Sequence, residues 1–327
     1  MITKQDLKGL LVKYNFDEEQ IQRILNKKIK TLLKLGNKEN IDKILKILIS
    51  DYGFSKEKLK ECLSVLTYGK VKEIEEIFKV LDNHEISKGA IEGCLYVLAR
   101  GKAKEIEEIF KVLDDHEISK GAIKGCLSVL AQGKAKEIEQ IFKVLDDHEI
   151  SKETIEGCLS VLAQGKAKEI EEIFKVLENH EISKETVEGC LYVLARGEAK
   201  EIEQTFKVLD DHEISKETVE GCLSVLAMRK AKEIEETFKV LDDHKISKGA
   251  IEGCLYVLVQ GKAKEIEEIF KVLDDHEISK ETVDGCLYVL ARGEAKEIEE
   301  IFKVLENHGI SKGAIEGCLS VLAKGKA

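Results

Sequence analysis

Two residue types in this chain could support metal or nucleophilic chemistry, and both recur at one spacing. Histidines stand at 84, 116, 148, 180, 212, 244, 276 and 308, and cysteines at 62, 94, 126, 158, 190, 222, 254, 286 and 318, each series 32 residues apart. A zinc site draws its ligands from close pairs, such as Cys-x-x-Cys or two histidines one helical turn apart. Here His84 and Cys94 are ten residues apart, with the histidine at a turn and the cysteine inside a helix. The carboxylates, as in Glu105-Ile106-Glu107-Glu108, return in nearly every copy at solvent-facing helix positions. Acids repeated in that way make a charged surface, whereas general acid–base catalysis needs one pair in one place. No glycine-rich phosphate loop and no Ser/His/Asp set is unique to one segment. The chain therefore reads as a non-enzyme with no metal and no cofactor. An odd number of identical helix-interior thiols reads as a reduced, buried small hydrophobe, not as a disulfide framework.

Binding chemistry fits the pattern better. Before a recurrent glycine or its counterpart, one column differs from copy to copy: Tyr68, Arg100, Gln132, Gln164, Arg196, Met228, Gln260, Arg292 and Lys324. Four residues earlier the residues are Ser64, Tyr96, Ser128, Ser160, Tyr192, Ser224, Tyr256, Tyr288 and Ser320. Arg accompanies Tyr every time, while Gln accompanies Ser twice and Tyr once. Positions i and i+4 share a helix face. Arg and Gln make bidentate contacts with guanine and adenine edges, and Tyr can stack on a base. Other columns also change together, such as Gly89-Ala90 against Glu153-Thr154 and Lys102 against Glu198 and Glu294, as block duplication alone produces. The residues after the variable column are candidates for phosphate contact: Gly101, Lys102 and Lys104, then Gly133, Lys134 and Lys136, then Gly165, Lys166 and Lys168, with Lys230, Lys262 and Lys264 further on.

A repeat must position all of these. Units begin at Phe54, Ile86, Ile118, Ile150, Ile182, Ile214, Ile246, Ile278 and Ile310, giving eight 32-residue units over 54–309 and an 18-residue fragment, 310–327. In the unit Ile118 to Glu149, Ser119 is a good N-cap, and Ile118 and Ile123 occupy the positions of a hydrophobic staple. Helix A then carries Ile123, Cys126, Leu127, Leu130 and Ala131, the spacing of a core-facing helix. Gly133 is read as its left-handed C-terminal stop. Helix B starts near Lys134, shows Ala135, Ile138, Ile141, Phe142 and Leu145 at the same spacing, and ends at Asp146-Asp147-His148-Glu149. Two such helices cannot bury their apolar faces alone, but stacked copies can. The predicted fold is all-α, a right-handed α-solenoid or superhelix of tandem two-helix repeats. Residues 1–53 read as a capping helix followed by one degenerate unit of 38 residues, Phe16 to Gly53, whose helix B lies near Ile41 to Ile49. The sequence ends at Lys326-Ala327 where another helix B would begin, which points to a shortened piece of a longer array.

Charge divides along the chain and across the unit. Residues 1–50 hold eleven Lys/Arg, among them Lys27, Lys28, Lys30 and Lys34, against six Asp/Glu, a balance of +5; with a net charge of −11 the other 277 residues sum to −16. A basic start on an acidic array hints at a polyanion partner for that part. In a stacked array the A–B turns line one edge, which is basic, and the B–A turns, such as Asp114-Asp115-His116-Glu117, line an acidic one. Helix B directs its N-terminus at the basic edge, where free N–H groups and the helix dipole would favour phosphate. With no proline or tryptophan, 35% charged residues and no long uncharged apolar run, the composition indicates a soluble, monomeric, intracellular helical protein.

The unit Ile-Ser-Lys-Glu-Thr-Ile…Leu-Ser-Val-Leu-Ala-Gln-Gly-Lys-Ala-Lys-Glu-Ile (150–170) resembles the short bacterial relatives of TAL-effector repeats over the whole chain. The resemblance implies helical hairpins whose inter-helix turns lie in the major groove of double-stranded DNA. It also implies phosphate-facing Gly101 and Lys102 with their copies, base-facing residues just before each glycine, and a nucleating region at residues 1–53. An effector of that kind would act in a host cell nucleus. Departures are a unit one or two residues short, one glycine at the turn where the family has two, no proline in helix B, and an acidic array. The repeats of mitochondrial transcription termination factors look about as similar and also bind nucleic acid. A protein-binding solenoid whose acidic surface meets a basic partner is the alternative, and acidity favours it.

Overall fold

A computed structural model describes residues 2–26, 30–35, 37–61, 64–223, 225 and 229–317, with residues 31, 35, 60, 61 and 256 described by their backbone. Among the described residues the regular structure is helical throughout. Contacts divide the chain into two compact units, residues 1–167 and 168–327. Each is an α-solenoid of tandem repeats, in which helices equivalent by the 32-residue period pack side by side.

Helix B forms as expected, as in Ala103–Asp115 and Ala135–Asp147. Its Ile, Ile, Phe and Leu stripe is buried, with Ile138, Ile141 and Leu145 fully so. Thr205 and Thr237 take the place of the second isoleucine at two positions, and their hydroxyls donate to the carbonyls of Glu201 and Glu233 (2.9 Å each). The N-cap expectation also holds: Ser119 Oγ accepts from the Ala122 N–H (3.2 Å), and Ile118 and Ile123 are both buried.

Helix A departs from the expectation of one continuous helix. It is split into Lys120–Gly125 and Ser128–Gln132, and the described copies over 88–100, 152–164, 184–196, 248–260 and 280–292 are split likewise. The break falls on the cysteine, where φ is −137° to −146° and ψ 53° to 65° at Cys94, Cys126, Cys158, Cys222 and Cys254. Glycine precedes each of these cysteines and weakens helix by about 1 kcal/mol relative to alanine. In an unbroken helix Val129 would lie off the apolar stripe. The break rotates the second half so that Val129 and Leu130 both reach the core at 0% and 2% exposure, and burying a valine is worth about 1.5 kcal/mol or more. The thiols give way in return: Cys94, Cys126, Cys158, Cys190, Cys222, Cys254 and Cys286 are half-buried, not core residues.

Helix B ends in a Schellman turn. The Ile118 N–H donates to the Leu113 carbonyl (2.8 Å) and the Glu117 N–H to that of Asp114 (2.9 Å). This closure puts Glu117 at φ +55°, and Glu85, Glu149, Glu181, Glu213, Lys245 and Glu277 at +54° to +58°. Glycine suits that conformation, and Gly53 and Gly309 occupy it at the flanking positions. The glutamate earns only an exposed ion pair, Glu117 to Lys152 at 3.4 Å, of the kind worth little in water. Replacing Glu117 by glycine should therefore raise stability by about 0.5–1 kcal/mol, the relief of left-handed strain less the added freedom of the unfolded chain. A urea midpoint that moves down would contradict this.

The N-terminal region repeats the same plan in altered form. Lys4–Lys13 is capped by a Thr3/Asp6 capping box, and Tyr14, Asn15 (φ +57°) and buried Phe16 follow it as His, Glu and Ile follow helix B elsewhere. The capping helix is thus a helix B in position. In the degenerate unit Lys38–Leu45 continues into a π-helical turn, Lys46–Asp51. That span holds one residue more than helix B elsewhere, and the π turn absorbs it. Tyr52 then arrives where histidines stand later, stacked on Phe78 at 3.7 Å.

Candidate nucleic-acid interface

The A–B turn is built from two residues between the end of helix A and the start of helix B. After Ser128–Gln132 the chain passes through Gly133 (φ −66°, ψ 160°) and Lys134 (φ −125°, ψ 126°) into Ala135–Asp147. The left-handed stop expected at this glycine is absent, since extended backbone is open to any residue. Glycine is needed for space: a Cβ on Gly133 would lie 2.5 Å from the Val129 carbonyl oxygen and 2.7 Å from Ile138 Cδ1. Gly101, Gly197, Gly261 and Gly293 meet the same two obstacles.

The helix B N-terminus is not the open anion site that the sequence suggested. Lys134 at the N-cap makes no side-chain cap. The Ala135 N–H instead donates to Glu105 Oε1 of the preceding helix B (2.9 Å). Ala103 donates likewise to Glu73 (2.7 Å), Ala167 to Glu137 (2.8 Å), Ala199 to Glu169 (2.6 Å), Ala231 to Glu201 (3.3 Å) and Ala295 to Glu265 (2.9 Å). Each carboxylate caps its neighbour's helix and places a negative charge against the positive end of the dipole. The first N–H of these helices is therefore taken.

The lysines remain at the surface. Lys102, Lys104, Lys134, Lys136, Lys166, Lys168, Lys230, Lys262 and Lys264 are all exposed, as are Lys30 and Lys34 in the N-terminal region. Lys104 and Lys168 stand 3.9 Å and 3.6 Å from Glu108 and Glu172, one helical turn on. Gly101, Gly133 and Gly165 are half-buried beneath them. Between the turns at 100–102 and 132–134 lies an open groove of about 400 Å³, bounded by Arg100, Lys102, Gln132, Lys134 and Lys136 and by Glu105 and Glu108.

Tyr68, Arg100, Gln132, Gln164, Arg196, Gln260 and Arg292 are exposed at the turn tips, as the variable column requires. Met228, Lys324, Lys27 and Lys28 lie outside the described residues. The linkage of Arg to Tyr has a physical basis. Arg100, Arg196 and Arg292 hold their guanidinium carbons 5.0, 4.8 and 5.0 Å from the ring centroids of Tyr96, Tyr192 and Tyr288, and Arg196 Nη1 donates to Tyr192 Oη (3.0 Å). Consecutive turns are neighbours: Arg292 Nε donates to Gln260 Oε1 (3.0 Å).

Six histidines, at 84, 116, 180, 212, 244 and 276, are clasps between neighbouring repeats, which the sequence did not reveal. His116 stacks on Phe142 of the next unit with centroids 3.8 Å apart and planes 7° apart, and its Nε2 meets Glu139 Oε2 at 3.4 Å. The same stack joins His84 to Phe110, His180 to Phe206, His212 to Phe238, His244 to Phe270 and His276 to Phe302. Hydrogen bonds from Lys303 and then His276 hold the Glu299 carboxyl below its ordinary 4.5. Because the folded value is depressed, that contribution is complete above about 4.5 and is lost as pH falls through the lower folded value. Among the described residues no group of three or more His, Cys, Asp or Glu is placed to hold a metal ion, and no helix is long and apolar enough to cross a membrane. No protein-family model matches the chain, and no curated protein matches it.

Proposed function

We propose that the protein binds double-stranded DNA along its A–B turns, with lysines on phosphates and the variable column at base edges. One observation carries this reading. In a repeat that is otherwise nearly fixed, the most varied column stands at the tip of the turn, and in six of its nine copies it carries Arg or Gln, side chains that pair with base edges. Lysines flank that column, and residues 1–50 carry an excess of basic over acidic side chains. A second reading, a protein-binding scaffold, is favoured by the glutamate on the first N–H of helix B and by Glu198 and Glu294, which replace the first turn lysine in two units.

Selection from a randomised duplex library at low and moderate salt tests the first reading, which expects a defined site to be enriched. Arg196→Gln should change preference at one position by about tenfold or more, because a bidentate Arg–guanine pair is replaced by a side chain suited to adenine. An equal loss at every position would mean that Arg196 touches only backbone. Absence of enrichment at either salt would leave the scaffold reading in place.

A further inference from the structure

We propose that Tyr96, Tyr192 and Tyr288 are positioning residues that make three units selective for guanine; the inference rests on the nucleic-acid reading above. A free arginine must freeze several torsions to present its guanidinium in one plane, and it loses affinity in doing so. In this protein the freezing is done before any ligand arrives. Each tyrosine is the first residue of the second half of helix A and each arginine the last, so i,i+4 spacing lays the guanidinium at 4.8–5.0 Å over a half-buried ring. Arg196 is fixed further by its bond to Tyr192 Oη. A guanidinium stacked by its face can present an N–H edge to a ligand, and that edge matches the O6/N7 pair of guanine in the major groove; in Arg292 the Nε is already given to Gln260 Oε1. Gln132 and Gln164 have Ser128 and Ser160 where the tyrosines stand, so no ring braces their amides. The same column therefore carries two kinds of side chain, one braced and one free.

The test uses the full chain with Tyr192→Ser and Tyr192→Phe. Serine occupies this column in the preceding repeat, where Ser160 begins the same helical segment. The position governed by Arg196 is located first with Arg196→Gln. In library selection Tyr192→Ser should lower the preference for guanine over adenine at that position about fourfold, the size of an exposed cation–π contact, and leave other positions unchanged. Tyr192→Phe keeps the ring and should stay within about twofold of the parent. In the free protein the Arg196 Nε–H resonance should be ring-shifted in the parent and in Tyr192→Phe, and unshifted in Tyr192→Ser. Unchanged guanine preference in Tyr192→Ser, or a loss spread over all positions, overturns the proposal. So does an Nε–H that is unshifted in the parent, even if duplexes are selected. If no duplex is enriched by the parent, the nucleic-acid reading fails and takes the guanine assignment with it, whatever the resonance shows.

Discussion

Phe142→Ala should cost about 3–5 kcal/mol, the largest effect expected from any single side chain of the array. The ring is 2% exposed and lies between its own helix B and the His116 ring of the preceding unit, 3.8 Å away. Truncation removes a large apolar volume and also uncovers the histidine that closes the boundary between two units. Repeat arrays are held by terms within units and terms between neighbours, and one weak boundary can uncouple the segments on either side. Urea unfolding should therefore show an early phase, with hydrogen exchange accelerated on both sides of Phe142. A single transition displaced by less than about 1 kcal/mol would contradict this.

The contribution of the stack can be separated from that of the ring. His116→Ala leaves Phe142 in place and should cost about 1 kcal/mol, since aromatic pairs add that much beyond area burial. His116→Tyr should retain most of the stability, because Tyr52 already sits over Phe78 at 3.7 Å and 12° in the equivalent place.

The period, the second helix of each unit and the serine caps were legible in the sequence because each depends on residues close together in the chain. What joins one unit to the next was not. The joining bonds span offsets other than 32: Glu105 to Ala135, His116 to Phe142, Ser119 to Glu156, Glu85 to Lys120. When every copy carries the same residue, no column varies with its partner, and the pairings leave no trace. Only exceptions disclose them. Lys124 stands where the units from Ile86 onward otherwise have Glu or Asp, so the Ser87 N–H lacks the acceptor that Glu156 gives Ser119. Lys245 replaces a glutamate, and Lys280 turns to Asp284 of its own helix at 3.8 Å. The linkage of Tyr to Arg was readable for the opposite reason: its two columns vary, and they lie one helical turn apart; that the guanidinium lies on the ring was not.

The glycine of the A–B turn is the second site of large effect, and its replacement separates a steric demand from a conformational one. If Gly133 served as a left-handed cap, alanine there would be strained through φ. At φ −66° alanine has no such difficulty. Its Cβ would instead meet the Val129 carbonyl oxygen at 2.5 Å, a backbone atom that moves only if the helix end opens. Gly133→Ala should cost about 2 kcal/mol, as overpacking does. The chain contains its own comparison. Arg229 occupies this column once, and Lys230 after it adopts φ −77°, ψ 143°, away from the −103° to −125° of the equivalent residues at 102, 134, 198, 262 and 294. The turn thus takes another path, and the guanidinium offsets the change by bonding to the carbonyls of Gly261 and Leu258 and to Glu233 Oε2. Alanine has nothing to offer in that way. Gly133→Arg should accordingly be less damaging than Gly133→Ala, an order that helix propensity and side-chain volume alone would reverse. Urea midpoints of the two variants measure it, and an alanine variant as stable as the parent, or an arginine variant below it, would show that the Cβ contact does not govern this turn.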